Sequence, residues 1–289
     1  MILKFLLFFY ISSFGFQHLF VPYSPEEDIL FKGDVYEFFK NKFFNYKYKS
    51  IIVPPETKHS FISFSYLKWI TGSKINKVSI YYKKLKTLLS LKYFDYGKFE
   101  YYEFPSENPL LIYNPFALSI GITPLLEISK NFPFYISIFY NEEKIFDKKA
   151  SNFTVNLDLF INIYENVKFE ISLNNTGTKP LYYEEYIRIP SYLDGKSFIY
   201  IEKFDILLNL MARIGLWGSD NYYRGYFVSF EKSIKELITL FGGFGKKDEI
   251  GNIGFGFKLK FKDFLYLIYS YRPSKEFEDI NSFTLKREF

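Results

Sequence analysis

The sequence predicts an all-β protein: a closed antiparallel transmembrane barrel of about 14 strands, preceded by a short N-terminal arm or plug. Three observations carry that prediction. Aromatic side chains make up 23% of the chain, with 37 Phe and 27 Tyr, and they suit a pleated, half-buried surface better than a helix. Alanine, the strongest helix former, stands only at Ala117, Ala150 and Ala212, which argues against a helical bundle. From about His59 to the end, apolar and polar residues alternate in segments of roughly nine to eleven residues, the length of a tilted membrane strand.

The chain divides into three parts. Residues 1–15 read as a secretory signal: Lys4 supplies the positive start and Phe5 to Ile11 a short apolar core. Ser13 and Gly15 are the small residues a signal peptidase needs, with cleavage after Gly15. That apolar run is shorter than the roughly 18 to 20 residues of a spanning helix, and no longer run follows, so any membrane crossing must use strands. Residues 16–57 form the arm or lumen plug. Pro22 and Pro25 open it, Pro25-Glu26-Glu27-Asp28 has the chemistry of a helix start, and Pro54-Pro55 closes it. An extra strand plus loop is the alternative there. Residues 58–289 are the barrel.

Within the barrel the clearest segment is Ser151 to Ile163. Phe153, Val155, Leu157, Leu159, Ile161 and Ile163 share one face, while Asn152, Thr154, Asn156, Asp158 and Asn162 share the other. A three-residue turn, Tyr164-Glu165-Asn166, leads into Val167, Phe169, Ile171 and Leu173, and so makes a hairpin. The same alternation recurs at Phe116–Ile122, Ile206–Leu216, Phe255–Phe261 and Leu265–Tyr271. In the Phe255–Phe261 run, Lys258 and Lys260 fall on the polar face and hint at a basic lumen. Lys83, Lys84 and Lys86 form the densest basic cluster, which fits a solvated turn between two strands.

A soluble sandwich or barrel shares this periodicity, and a soluble periplasmic β protein stays open at this point. Three features favour the membrane. The apolar face carries large residues and almost no charge. Tyr81-Tyr82, Tyr101-Tyr102, Tyr182-Tyr183 and Tyr222-Tyr223 lie near segment ends, where an interfacial girdle belongs. The chain also ends on Phe289, with Phe283 and Leu285 before it in step, which is the terminal pattern that outer-membrane barrels present to their assembly machinery. Arg287 interrupts that series and is tolerable only near an interface.

Several function classes recede. With 37 basic and 32 acidic residues dispersed along the chain, the net charge of +5 lacks the concentrated basic face of a nucleic-acid binder. No cysteine is present, so disulfides, thiolate metal sites and a cysteine nucleophile are absent. The two histidines, His18 and His59, are not at metal-binding spacing. His59, beside Ser60, is the one plausible general base for a barrel-wall hydrolase and is better explained as an interfacial residue. Carboxylate pairs such as Glu184-Glu185 and Asp248-Glu249 fit solvated turns. Gly242-Gly243-Phe244-Gly245 and Gly251 to Gly256 neither open a helix nor precede Gly-Lys-Ser/Thr, so they fit a kinked wall better than a nucleotide loop. No catalytic, cofactor or metal residue is assigned, and no enzyme is expected.

The order of parts resembles the PorV/PorQ family of outer-membrane proteins, whose members have a signal peptide, a short Gly-containing N-terminal segment and a barrel similar to that of FadL. Asn175-Thr176-Gly177, then Ile189-Pro190 and Gly195, resembles the family's N-x-G … L-P … G run. Tyr269-Ser270-Tyr271-Arg272-Pro273 before the last strand is similar to its penultimate hairpin. The resemblance implies a non-enzymatic barrel in a bacterial outer membrane, acting in type IX-like protein export or surface attachment. Its partners would be outer-membrane lipid, the barrel-assembly machinery and secretion-system proteins or cargo. A FadL-like channel for hydrophobic or small solutes is the alternative.

Overall fold

A computed structural model describes residues 60–289 apart from residues 69–71, 102–108, 110, 127–133, 147, 165, 183–184, 187–188, 190, 217–224, 235–236, 248–249, 262–263 and 274–278. The predicted signal (1–15) and the predicted arm or plug (16–57) lie outside the described residues, as do His18 and His59.

Fourteen strands close one barrel. In chain order they are β1 (Phe61–Lys68), β2 (Lys74–Tyr82), β3 (Thr87–Asp95), β6 (Phe116–Leu126), β7 (Phe134–Ile145), β8 (Lys148–Tyr164), β9 (Val167–Gly177), β12 (Tyr192–Ile201), β13 (Ile206–Gly215), β14 (Gly225–Ile234), β15 (Ile238–Lys247), β16 (Ile250–Phe261), β17 (Leu265–Arg272) and β18 (Ile280–Glu288). Two small hairpins stand outside the ring: β4 (Phe99–Tyr101) with β5 (Leu111–Tyr113), and β10 (Leu181–Tyr182) with β11 (Glu185–Tyr186). Every neighbouring pair is antiparallel, and the ring closes where β1 meets β18, from Phe61 opposite Glu288 to Lys68 opposite Asn281. The Phe289 N–H donates to the Ser60 carbonyl at 2.8 Å and extends that seam. Closure satisfies the backbone donors and acceptors that an open edge would leave bare in hydrocarbon.

The two ends of the barrel differ. The described chain starts and finishes at one end, where the links between strands are short: 83–86, 127–133, 165–166, 202–205, 235–237 and 262–264. The other end carries the longer links, including 96–115, 178–191 and 216–224.

Strand geometry turns side chains alternately in and out. On β8, Phe153, Val155, Leu157 and Leu159 face outward, while Asn152, Thr154, Asn156 and Asp158 face inward. The outward and inward sets on β6, β13, β16 and β17 follow the sequence alternation in the same way. The outer surface is an apolar belt that includes Phe64, Ile80, Leu91, Ile120, Ile138, Phe230, Phe244 and Leu285. The described outward charges lie toward strand ends: Lys68, Lys74, Asp95, Glu142, Lys144, Lys149, Lys232 and Arg287. Arg287 lies opposite Ile62 at the barrel's rim, its guanidinium carbon 6.0 Å from the Phe264 ring centre. That rim position resolves the apparent break in the last strand's pattern.

Period two also corrects the girdle expectation. Tyr82 faces out at its strand end, but Tyr81 faces in, 4% exposed and 5.7 Å from the Phe61 ring. Adjacent residues of a strand cannot share a face, so a tyrosine pair supplies one girdle residue. Tyr102, Tyr183, Tyr222 and Tyr223 lie outside the described residues. The predicted three-residue turn after β8 is shorter than expected, because Tyr164 itself pairs with Val167.

Turn and bulge chemistry follow the sequence. The Lys83-Lys84-Leu85 link is a single 3₁₀ turn closed by Lys86 in the left-handed region at φ 47°, so the basic cluster is a turn, as expected. Asn175, at φ 56°, adjoins the place where the β8–β9 register shifts between Val155 and Leu157. Gly177 closes that strand, and a Cβ there would lie 1.8 Å from the Phe153 carbonyl oxygen. The glycines of β15 and β16 let rings cross the wall. A Cβ on Gly245 would strike Phe227, and one on Gly256 would strike Phe241.

Candidate functional site in the barrel lumen

The inner face is the one surface where the described polar side chains converge. Its middle is a lattice of short polar groups. Ser65 shares a hydrogen bond with Thr284 at 2.7 Å across the closing seam. Ser119 donates to Asn141 at 2.7 Å, Asn141 to Thr154 at 3.0 Å, and Thr123 to Ser137 at 2.8 Å. Tyr96 donates to Glu143 from the long-link end. Apolar clusters close both ends of this lattice on one side of the ring. Phe61, Tyr81 and Leu88 form one, and Leu67, Ile75, Phe94, Ala117 and Ile280 the other.

The inward ionisable groups separate by sector. Along β7, β8, β9, β12, β13 and β14 they are Glu143, Asp158, Lys168, Glu170, Asp194, Lys196, Arg213 and Glu231. Here opposite charges meet directly. Lys196 Nζ lies 2.5 Å from Glu170 Oε1, and Ser172 donates to that same oxygen at 2.6 Å. Arg213 grips Asp194 with two bonds of 2.7 Å each and stacks 3.9 Å from the Tyr192 ring centre. A bidentate guanidinium–carboxylate pair fixes both side chains in plane.

Along β16, β17, β18, β1, β2 and β3 the inward charges are Lys258, Lys260, Arg272, Lys286, Glu288, Lys77 and Lys92. That sector is cationic. Lys77 and Lys92 stand directly opposite each other on β2 and β3. Lys258 is five strands round the ring on the same register row, through Ile268, Thr284, Ser65 and Lys77 to Lys92. Aromatic faces steady these lysines: Lys92 Nζ is 5.0 Å from the Phe139 ring centre, Lys258 Nζ 5.2 Å from Tyr266 and Lys286 Nζ 4.4 Å from Phe61.

The shortest inward side chains of the wall are buried. Ser229, Ser270, Asn141 and Thr154 are at 0% exposure, and Ser79 and Ser282 at 1%.

The residues predicted for assembly occupy the other surface. Phe283 and Leu285 face outward from the last strand, and Phe289, after it, is exposed. Of the predicted basic lumen, Lys258 and Lys260 do face inward. Sequence reasoning did not pick out Lys77, Lys92, Lys286 or the Glu170–Lys196 and Asp194–Arg213 pairs. Each stands on the polar face of an alternating strand, which was the available signal. What it meets across the ring was not.

No known family model matches the chain, and no curated protein does. Solved structures do. The CymD monoaromatic hydrocarbon channel is similar at a TM-score of 0.57 and 8% identity, over 80% of this chain and 88% of its own. The toluene transporter TbuX of Ralstonia pickettii is similar at 0.54 and 9%, over 80% and 88%. The toluene transporter TodX of Pseudomonas putida is similar at 0.52 and 9%, over 79% and 88%. These likenesses establish the fold, that of outer-membrane barrels. Together with the apolar belt, they bear out the expected location in a bacterial outer membrane.

Proposed function

We propose that this protein is a non-enzymatic outer-membrane channel for small solutes, the FadL-like alternative among the functions expected from sequence. The observation that carries it is the inner face: polar and charged side chains set among apolar ones all round a closed ring whose outside is apolar. A barrel built only to be held in lipid has no need of so many ionisable groups turned inward, where each must be desolvated or paired. The solved barrels that share its fold are named as hydrocarbon channels and toluene transporters, which supports transport over other roles.

The short-link end is assigned to the periplasm and the long-link end to the outside, as in barrels with short periplasmic turns. We assign the predicted plug, residues 16–57, to gating this channel. The C-terminal Phe283, Leu285 and Phe289 keep their assigned role toward the assembly machinery.

Reconstitution of the full chain in planar bilayers tests this reading. Discrete conductance steps, or solute uptake by loaded vesicles, are expected. A sealed bilayer with both the full chain and a variant lacking residues 16–57 refutes it. The export or surface-attachment role implied by the PorV/PorQ resemblance predicts something else: secreted proteins recovered with the barrel from solubilised membranes.

A further inference from the structure

We propose that Gly121, with Gly245 and Gly256 on the opposite wall, sets the bore of the channel and so the largest solute it admits, a role that rests on the channel reading above. Each of these glycines lets a phenylalanine ring lie flat along the inner wall instead of projecting into the lumen.

Glycine weakens a strand interior and so marks a place where something approaches the backbone closely. On β6, Ile120 and Ile122 face outward, which leaves Gly121 facing inward between them. Its partner on β7 is Phe139, inward in turn because Ile138 faces outward. A Cβ on Gly121 would fall 2.3 Å from Phe139 Cε1, 2.5 Å from Phe139 Cδ1 and 2.6 Å from Ser90 Oγ on β3. The ring therefore fills the space of a side chain's first carbon, and it reaches across β6 toward β3. Inward side chains of a strand otherwise stand roughly perpendicular to the sheet. The Lys92 ammonium, 5.0 Å from the ring centre, sits over a face of this flattened ring.

The arrangement recurs. Phe227 on β14 lies over Gly245 on β15, its nearest ring atom 2.1 Å from where a Cβ would be, and Phe241 on β15 lies over Gly256 on β16 at 2.4 Å. In the ring of fourteen, β6 and β15 are seven strands apart, so rings are drawn back on opposite walls. Gly121 gives the cleanest test. Its three nearest atoms all belong to side chains, whereas a Cβ on Gly245 or Gly256 also meets a backbone oxygen, that of Tyr226 at 2.8 Å or Tyr269 at 2.2 Å.

The test compares the full chain with its Gly121→Ala, Phe139→Ala and doubly substituted forms. Each is refolded and checked for the compact gel band. Single-channel conductance is then read in planar bilayers, and entry of neutral sugars of increasing size into vesicles. Gly121→Ala lifts the ring from the wall, so conductance falls by about twofold and the largest sugar admitted by the parent is excluded. The double variant conducts as Phe139→Ala alone does, because without the ring the added methyl has nothing to lift.

Three results overturn the proposal: a Gly121→Ala conductance equal to the parent's, a fall that persists in full without the Phe139 ring, or a Gly121→Ala chain that gives no compact band, which would mean that the ring has no room to rise. If the parent conducts, any of these removes the bore-setting role and leaves the channel standing. A bilayer sealed by the parent removes both.

Discussion

Replacing Asp194 by Asn tests whether the inner wall is dry enough for its ion pairs to matter. The Arg213 guanidinium makes two 2.7 Å bonds to this carboxylate, with side-chain exposures of 15% for Arg213 and 3% for Asp194. Removing one partner of such a buried pair costs about 3–5 kcal/mol, because the remaining charge stays desolvated. Two features reduce the loss. Asn keeps one acceptor oxygen, and the guanidinium stays over the Tyr192 ring, a contact of about 0.5–2 kcal/mol. The expected cost is therefore about 2–3 kcal/mol.

The internal control is Glu142→Gln. Its pair with Lys149 is of similar length, 2.9 Å, but the side chains are 59% exposed at Lys149 and 22% at Glu142. An exposed pair contributes only about 0–1 kcal/mol. Urea titrations of both variants in lipid vesicles, followed by the compact gel band, measure the two costs. The double variant Asp194→Asn with Arg213→Met completes a cycle, and a coupling of at least about 1 kcal/mol is expected. Equal costs for Asp194→Asn and Glu142→Gln would refute the reasoning, for they would mean that the lumen screens charge as well as open water does.

Three other outcomes are expected. Ile120→Arg, in the middle of the outward face of β6, should destabilise the vesicle-inserted barrel by about 2–4 kcal/mol, whereas Ser119→Arg, one residue along, should not show that lipid-dependent loss; the same titration in vesicles and in detergent separates them. Gly177→Ala should cost about 1–3 kcal/mol, since its Cβ would meet the backbone oxygen of Phe153, which no rotamer change relieves, while Gly195→Ala, with nothing nearer than a ring atom at 3.5 Å, should be tolerated in the same titration. Deleting Phe289 should leave the refolded barrel's stability to urea within about 1.5 kcal/mol, as the residue is 63% exposed and gives up one backbone bond to Ser60, yet lower the amount of barrel found in the outer-membrane fraction of cells.

Much of the wall was legible from local sequence. A strand's side chains alternate because of backbone geometry alone, so Phe153 to Ile163 and Asn152 to Asp158 had to part to opposite faces wherever β8 lay. The same period assigned Lys258 and Lys260 inward and the basic Lys83–Lys86 cluster to a turn. Where sequence reasoning slipped, it let residue type override that period. Tyr81 and Tyr82 were grouped by chemistry, although neighbours on a strand must face opposite ways.

Composition and alternation by themselves determined an all-β chain with one greasy and one polar side, because those properties depend on residues two positions apart. Which polar side chains meet was decided only by the closed ring. Lys77 and Lys258 share a register row although 181 positions separate them, and Arg213 finds Asp194 from the neighbouring strand. Those encounters depend on strand order and register, which the burial of backbone hydrogen bonds in lipid enforces over the whole ring and no local segment encodes.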